Sequence, residues 1–428
     1  MDVQRIRADF PILQQEVHGH PLVYFDNAAT TQKPRQVLET IQAFYTHYNA
    51  NIHRSPHLLG QVATELYEQA HRNVARFIGA ADWREIIFVR NTTEAINLVA
   101  HALMHGRSER LSLHAGDEVL LTVAEHHSNL VPWQMVRDRL GVTLKFVDIQ
   151  TDGTLDLDHL AASLTDRTKL VACAHVSNVL GTVNPARQIA RLAHAAGALF
   201  LVDGAQSVPH LPIDVTELDC DFLCFSGHKM LAPMGIGVLY GKRQLLAEMP
   251  PFLRGGDMIE DVTLERATWN ELPWKFEAGT PNVSGAIALG GATDRRTGRH
   301  LEGATDFLSR LGMGAVRAHE ELLTARALRG LRSTRGVHVH GPLDPGMRAG
   351  VVSFSVEKEG AEVDAHSIAR LLDNAGIAVR AGGHCAYPLA AHLGVAGTVR
   401  ASFYLYNTTE EVDYMLATLD EIIGHRLL

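Results

Sequence analysis

The sequence predicts an α/β protein: a large, mostly parallel sheet with helices on both faces, followed by a smaller α+β C-terminal domain. Between about residues 85 and 241, short β-branched or apolar runs alternate with helical patterns. Two of those runs, KLVACAHV and ALFLVD, are apolar on both faces, as strands covered from both sides must be. Past Pro281 this rhythm gives way to long helical stretches and then to separate short strands.

In chain order, REIIFVR predicts a strand and EAINLVAHALMHG the helix after it. The alternation continues through DEVLLTV, LVPWQMVRDRLG, TLKFVDI, KLVACAHV, ARQIARLAHAAG, ALFLVDG, DFLCFSG and GIGVLY. Sites in such sheets lie at the carboxyl ends of the strands, so the residues just after each run carry the interest. Beyond Pro281 one long helical stretch is expected over about 283–311, then the helix AVRAHEELLTARALRGL, then the strands GVVSFSV and TVRASFYLY. The segment before Tyr24 has little apolar core of its own and is expected to pack on the smaller domain. The expected organisation is therefore residues 1–24 as that segment, 25–282 as the large domain and 283–428 as the small one. No long linker separates the domains, so they should share a close interface.

The chain has 428 residues, with 39 Lys+Arg against 48 Asp+Glu and a net charge of −9. That balance argues against a nucleic-acid partner. With 46% hydrophobic and 20% charged residues, the composition is that of a folded domain, not of a disordered or low-complexity chain. No apolar run reaches the ~18 to 20 residues that span a bilayer, so no membrane partner is expected. MDVQRIRADF carries charge where a secretory peptide needs an apolar run, and a cytoplasmic protein is expected. The four cysteines, Cys173, Cys220, Cys224 and Cys385, match neither a CxxC pair nor a zinc quartet. Cys220 and Cys224, at i and i+4 in CDFLCF, are expected to share one strand face as core residues. Cys385 has polar, glycine-rich neighbours.

The chemistry starts at SGHK, Ser226 to Lys229, which follows the buried run CDFLCF. Alone, Lys229 would read as an exposed loop lysine. In ALFLVDGAQSV, however, Asp203 stands directly after an apolar strand with Gln206 three residues on; alone, it could be a helix N-cap. An acid held at that edge can keep a pyridine nitrogen protonated while a lysine forms a Schiff base, the pairing that pyridoxal phosphate requires. A phosphate site is legible in REIIFVRNTTEAINLVA. Asn91 there is the expected N-cap, Glu94 stands at the capping-box position, and Thr92 and Thr93 add hydroxyls to the free amides. An ordinary capping box would look the same. In DEVLLTVAEHHSNLVPW, His126 and His127 sit at the same edge, where a flat ring can stack on a planar cofactor. No HxxxH or HExxH pattern occurs among the 24 histidines, and no metal is expected.

Taken in order, YFDNAATTQKP, IHRSPH, NTTEAINLVA, EHHSNLVPWQ, HVSNVLGTVNP, VDGAQSV, DCDFLCFSGHKM, FEAGTPN, VRAGGHCA and VRASFYLYNT resemble the fold-type I pyridoxal-phosphate enzymes of the class V aminotransferase family. Within it they resemble the SufS-type (group II) cysteine desulfurases and selenocysteine lyases. The resemblance implies pyridoxal 5'-phosphate as cofactor, with Lys229 as Schiff-base lysine, Asp203 as pyridinium partner, Gln206 on the phenolic oxygen and His126 stacked on the ring. It implies phosphate contacts from Thr93, Ser226 and His228, joined by Thr280 from the second subunit of a homodimer, with His53 and Arg54 also reaching across. Asn178 and Arg400 resemble ligands of the substrate carboxylate, supported by Arg380.

By the same resemblance, Cys385 takes sulfur from L-cysteine as a persulfide, leaving L-alanine, and must be exposed enough to act as a thiolate. Lys229 then serves as anchor and base, and His126 as a proton relay on the ground of its near-neutral intrinsic pKa. The sulfur would pass to an acceptor protein of the SufE/SufU type for iron–sulfur cluster assembly. L-selenocysteine is an alternative substrate. Another C–S lyase or an aminotransferase would keep Lys229 and Asp203, and a regulatory scaffold would need neither. One departure stands out: the group II pattern RxGHHCA reads RAGGHCA here. Gly383 replaces the first histidine, from which a more flexible loop is expected.

Overall fold

The computed structural model describes residues 1–53 and 55–424. Seven strands form the central sheet: β1 (Ile86–Val89), β2 (Glu118–Thr122), β3 (Thr143–Val147), β4 (Thr168–Ala174), β5 (Leu199–Asp203), β6 (Phe222–Ser226) and β7 (Gly237–Gly241). Their spatial order is β1-β7-β6-β5-β4-β2-β3. The pairs from β6 to β3 are parallel, and β7 runs antiparallel between β1 and β6.

Alternation along each strand feeds two cores. On β6, Leu223 and Phe225 join one apolar cluster, while Phe222 and Cys224 join the other; β4 and β5 divide their side chains in the same way. Helices α1 (Leu58–Phe77), α2 (Thr92–His105), α3 (Val131–Leu140) and α4 (Ala186–Ala195) cover the faces. Where β7 begins, a Cβ on Gly237 would lie 2.6 Å from the Asn91 Cα and 2.9 Å from the Phe225 carbonyl oxygen. Only glycine lets β7 pass so close to the start of α2.

Two local expectations are corrected. Cys220 and Cys224 do not share a face, because Cys220 precedes β6, beyond a left-handed turn at Asp219 (φ 52°), and strand alternation does not reach it. Cys220 packs in one core and Cys224 in the other. The long helix over 283–311 is broken into α5 (Val283–Gly290) and α6 (Ala304–Leu311) around the hairpin Ala292–Thr293/His300–Leu301. Gly291 (φ 72°) ends α5, and the polar run TDRRTG turns on Gly298 (φ 73°).

The small domain carries α7 (Met313–Ser333), β8 (Val337–His340), β9 (Val351–Lys358), α8 (Ala365–Asp373), β10 (Arg380–Gly382), β11 (Thr398–Ser402) and α9 (Thr409–Gly424). Its antiparallel sheet has the order β8-β9-β11-β10. Its core takes in Leu323 onward together with Val23 and Phe25. Every residue of α5 is buried, and α5 packs on α1; its apolar residues and those of α6 belong to a large-domain core. These two helices, although they follow residue 283, thus pack with the core of the large sheet.

Residues 1–24 touch both units. Val23–Tyr24 pairs in parallel with Ile377–Ala378, and Arg7 forms an ion pair with Glu411 at 2.6 Å. Ile6, Phe10 and Leu13 instead join the large-domain core, with Phe10 edge-on to Phe307. Among the described residues, no helix is long and apolar enough to cross a membrane.

Candidate active site

Strands β1, β2, β4, β5 and β6 all run out at one edge of the sheet, and the segments that follow them line a single cavity of about 570 Å³. β10, β11 and the loop after β10 form the opposite wall. The cavity thus lies between the domains.

The floor comes from β5 and β6. Asp203, the last residue of β5, is buried, and its Oδ1 accepts the Ala205 N–H at 2.9 Å. Burial pushes its pKa up, while that N–H and the Lys229 charge pull it down. Lys229 stands in the single turn Gly227–Lys229 after β6. Burial lowers its pKa to about 8, opposed by the charge of Asp203 and assisted by that of Arg400. Such an amine is much closer to neutrality than an ordinary lysine and is suited to act as nucleophile and base. Gln206 donates through Nε2 to the Ala28 carbonyl at 2.7 Å, and its buried Oε1 has no partner.

His126 follows β2, and its Nδ1 accepts the Ser128 N–H at 3.0 Å. Burial first, then the charges of Lys229, His127 and Arg400, push its pKa down to about 3. The near-neutral pKa invoked for a relay is therefore lost, and His126 presents a flat neutral ring. Next to it in the chain, Glu125 is buried. It accepts from Thr122, Asn129 and the Ala174 N–H, and burial pushes its pKa up to about 7.

At the start of α2, Asn91 accepts the Glu94 N–H at 3.0 Å as expected of an N-cap. The Glu94 carboxylate reaches back to the N–H of Arg90, not of Asn91, so no capping box closes. Thr92 is bound to Ser226 through its N–H (2.9 Å) and hydroxyl (2.7 Å), and Thr93 shares a 2.7 Å hydrogen bond with Ser128. These hydroxyls beside a helix N-terminus suit a phosphate. His228 lines the same cavity, its pKa lowered to about 4 by burial and then by Lys229 and Lys33. Its carbonyl accepts from Lys33 and from the Thr31 N–H, both at 3.0 Å.

On the opposite wall Arg400, buried on β11, donates to the Asn178 carbonyl (3.0 Å) and to Asp26 (3.3 Å); its Nε has no partner. Burial lowers its pKa to about 10. Arg380 grips Asp26 with Nε and Nη2, the latter at 2.7 Å. The Asn178 amide donates to the His384 carbonyl at 2.8 Å, so it holds the loop that follows β10. Asp26 was not singled out from the sequence, although it stands within the quoted YFDNAATTQKP and directly after an apolar pair.

Cys385 lies on that loop and is the only exposed cysteine; Cys173, Cys220 and Cys224 are buried, which raises their thiol pKa values. His384 (φ 49°) and Cys385 (φ 57°) both adopt left-handed backbone. Cys385 lines the same cavity as Lys229 and Arg400. The space beside Gly383 is occupied: a Cβ there would lie 2.5 Å from the Tyr387 ring. Thr280 is exposed and does not line the cavity, and His53 packs edge-on against Trp274 at 4.3 Å. Arg54 lies outside the described residues.

A planar cofactor with a carbonyl carbon and a phosphate tail fits this lining. The buried, unpartnered Gln206 Oε1, the lowered amine of Lys229 beside Asp203, and the hydroxyls at the α2 terminus each meet one part of such a molecule. Among the described residues, no group of three or more His, Cys, Asp or Glu side chains could hold a metal ion.

The pattern of the family described as aminotransferase class-V matches residues 23–415. A probable cysteine desulfurase from Halalkalibacterium halodurans is 49% identical, over 99% of this chain and 100% of its own. The apo structure of a cysteine desulfurase from Thermococcus onnurineus superposes with a TM-score of 0.88 at 40% identity, covering 98% of each chain. A variant of the lyase C-DES, solved with glycine covalently linked to its PLP cofactor, superposes with a TM-score of 0.79 at 25% identity, over 97% of this chain and 99% of the other.

Proposed function

The chain belongs to the class-V aminotransferase family, and from that premise we propose that it is a pyridoxal-phosphate-dependent cysteine desulfurase of the group II kind. One observation carries the reading: Lys229 beside the buried Asp203 on one wall of the cavity, and the single exposed cysteine, Cys385, on the other.

Lys229, Asp203, Gln206 and His126 would hold the cofactor ring. Thr92, Thr93, Ser226 and His228 would take its phosphate, with Thr280 reaching in from a second copy of the chain. When bound, the cofactor supplies an electron sink for bond breaking next to the substrate α-carbon. Arg400, with its free Nε and buried guanidinium, takes the substrate carboxylate, and Arg380 supports it through the shared Asp26. Lys229 moves the α-proton, a task its lowered pKa favours. His126, neutral, covers the ring face and keeps water out.

The Cys385 thiolate attacks the substrate sulfur. An S–S bond forms, and the substrate Cβ–S bond breaks with its electron pair left on carbon. That carbon takes up a proton, so L-alanine leaves and Cys385 keeps a persulfide. Transfer onward to an acceptor protein of the SufE/SufU type for iron–sulfur cluster assembly, a homodimeric state, cytoplasmic location and activity on L-selenocysteine belong to the same proposal.

Wild-type and Cys385→Ser proteins incubated with L-cysteine, with alanine and protein-bound persulfide both quantified, test it. Both products should depend on Cys385. Alanine from L-selenocysteine in the variant, with no turnover of L-cysteine by either protein, would replace the desulfurase by a selenocysteine lyase.

A further inference from the structure

We propose that His127 and Tyr387 form a latch that holds the Cys385 loop against the carboxyl edge of the large sheet, which makes both of them positioning residues for sulfur transfer. The inference rests on the reading of Cys385 as the sulfur-accepting residue.

Only the residues from Gly383 to Ala386 separate β10 from the helix Tyr387–His392, and two of them, His384 and Cys385, sit in backbone conformations that side chains rarely adopt. Something outside the loop must hold them there. His127 meets it from the large domain at three places. Its N–H donates to the Cys385 carbonyl at 2.8 Å, its ring Nε2 accepts the Tyr387 N–H at 3.2 Å, and its ring stands edge-on to the Tyr387 ring at 4.8 Å. The acceptor role needs a neutral imidazole, and burial lowers the His127 pKa in the required direction.

Tyr387 as a residue is 67% exposed, so it is not part of a buried core. It lies instead against His127 and over Gly383, where a Cβ would come within 2.5 Å of Cδ1 and 2.7 Å of Cε1. The missing side chain at Gly383 is thus what lets the ring lie down, and the ring is what closes the loop. Gly383 and Tyr387 act as one unit.

Iodoacetamide labelling of the cofactor-loaded protein reads the latch directly, because the other three cysteines are buried and the label reports Cys385 alone. His127→Ala, which removes the acceptor of the Tyr387 N–H as well as the ring contact, should speed labelling about five-fold, and Tyr387→Ala, which keeps that N–H and loses only the ring contact, about three-fold. They should also lower kcat for alanine formation with little change in KM. Tyr387→Phe keeps the ring and the main-chain N–H and should label at the wild-type rate. Gly383→Ala displaces the ring and should match Tyr387→Ala, and the double variant should label no faster than Tyr387→Ala alone.

Wild-type labelling rates in both alanine variants, or additive acceleration in the double variant, would overturn the latch. Alanine production from L-cysteine that survives Cys385→Ser would instead overturn the desulfurase reading, and it leaves the labelling rates to stand or fall separately.

Discussion

The two walls of the cavity are built by different physics. The floor is made of residues at or just beyond the ends of buried parallel strands: Asp203 ends β5, and Lys229 follows β6 by a single turn. Their positions are consequences of strand length and alternation inside two packed cores. The opposite wall is made by β10, β11 and a short loop with two left-handed residues, held by hydrogen bonds that cross between domains. A floor of this kind can fix an electrostatic environment. A wall of this kind can adjust the reach of a nucleophile.

Removing a floor residue should therefore have the larger effect. Lys229→Ala is expected to lower alanine formation on the order of 10³-fold or more while the far-UV spectrum is unchanged, because both anchor and base are lost. Turnover above a tenth of wild type would move the base elsewhere. On the opposite wall, Arg400→Ala should raise KM for L-cysteine about 10- to 100-fold through the loss of charged hydrogen bonds. It also leaves Asp26 with Arg380 alone, so Asp26→Asn should share part of that rise. An unchanged KM in both would place the substrate carboxylate on other donors.

This division also explains what the amino-acid sequence made legible. Lys229, Asp203, His126 and the Thr92–Thr93 pair were found because each stands just after an apolar run, and the run itself signals where a strand ends. Asp26 was passed over because its two arginine partners lie more than 350 residues away, and no local pattern joins them. The break between α5 and α6 was missed because apolar spacing resumes after the hairpin, although the glycine-containing polar run between them spans several helical turns. The left-handed turn at Asp219 shifted Cys220 off the strand pattern in the same silent way. The Gly383 departure was visible, but its consequence was not: a glycine reads as slack until the ring that fills its space is seen.

The pH dependence of the floor gives a finer test. The Lys229 pKa is lowered, so the ammonium dominates below about 8 and the free amine above it. Only the free amine attacks a carbonyl carbon. Reconstitution of cofactor-free protein with pyridoxal phosphate should thus accelerate about tenfold per pH unit up to about 8 and then level, whereas an ordinary lysine would keep accelerating to about 10.4. The Asp203 charge raises the Lys229 pKa, so Asp203→Asn should move the levelling point to lower pH. A levelling point that stays above 10 would mean that burial does not govern this lysine.

The smallest expected effects separate the two kinds of cysteine. Cys220 is fully buried at the far end of β6 from the cavity, in an apolar cluster, and burial raises its thiol pKa to about 12. In Cys220→Ser a hydroxyl replaces a weakly polar thiol at that buried site, a change expected to cost about 1–3 kcal/mol of stability in urea unfolding. Persulfide formation should be untouched, since nothing at the cavity moves. Cys385→Ser has the opposite profile: the side chain is exposed and serine meets the same backbone strain, so stability should change by less than about 0.5 kcal/mol while persulfide is lost. If Cys220→Ser instead lowered persulfide yield at full stability, sulfur chemistry would reach into the large-domain core, and the assignment of packing to that wall and reactivity to the loop would fail.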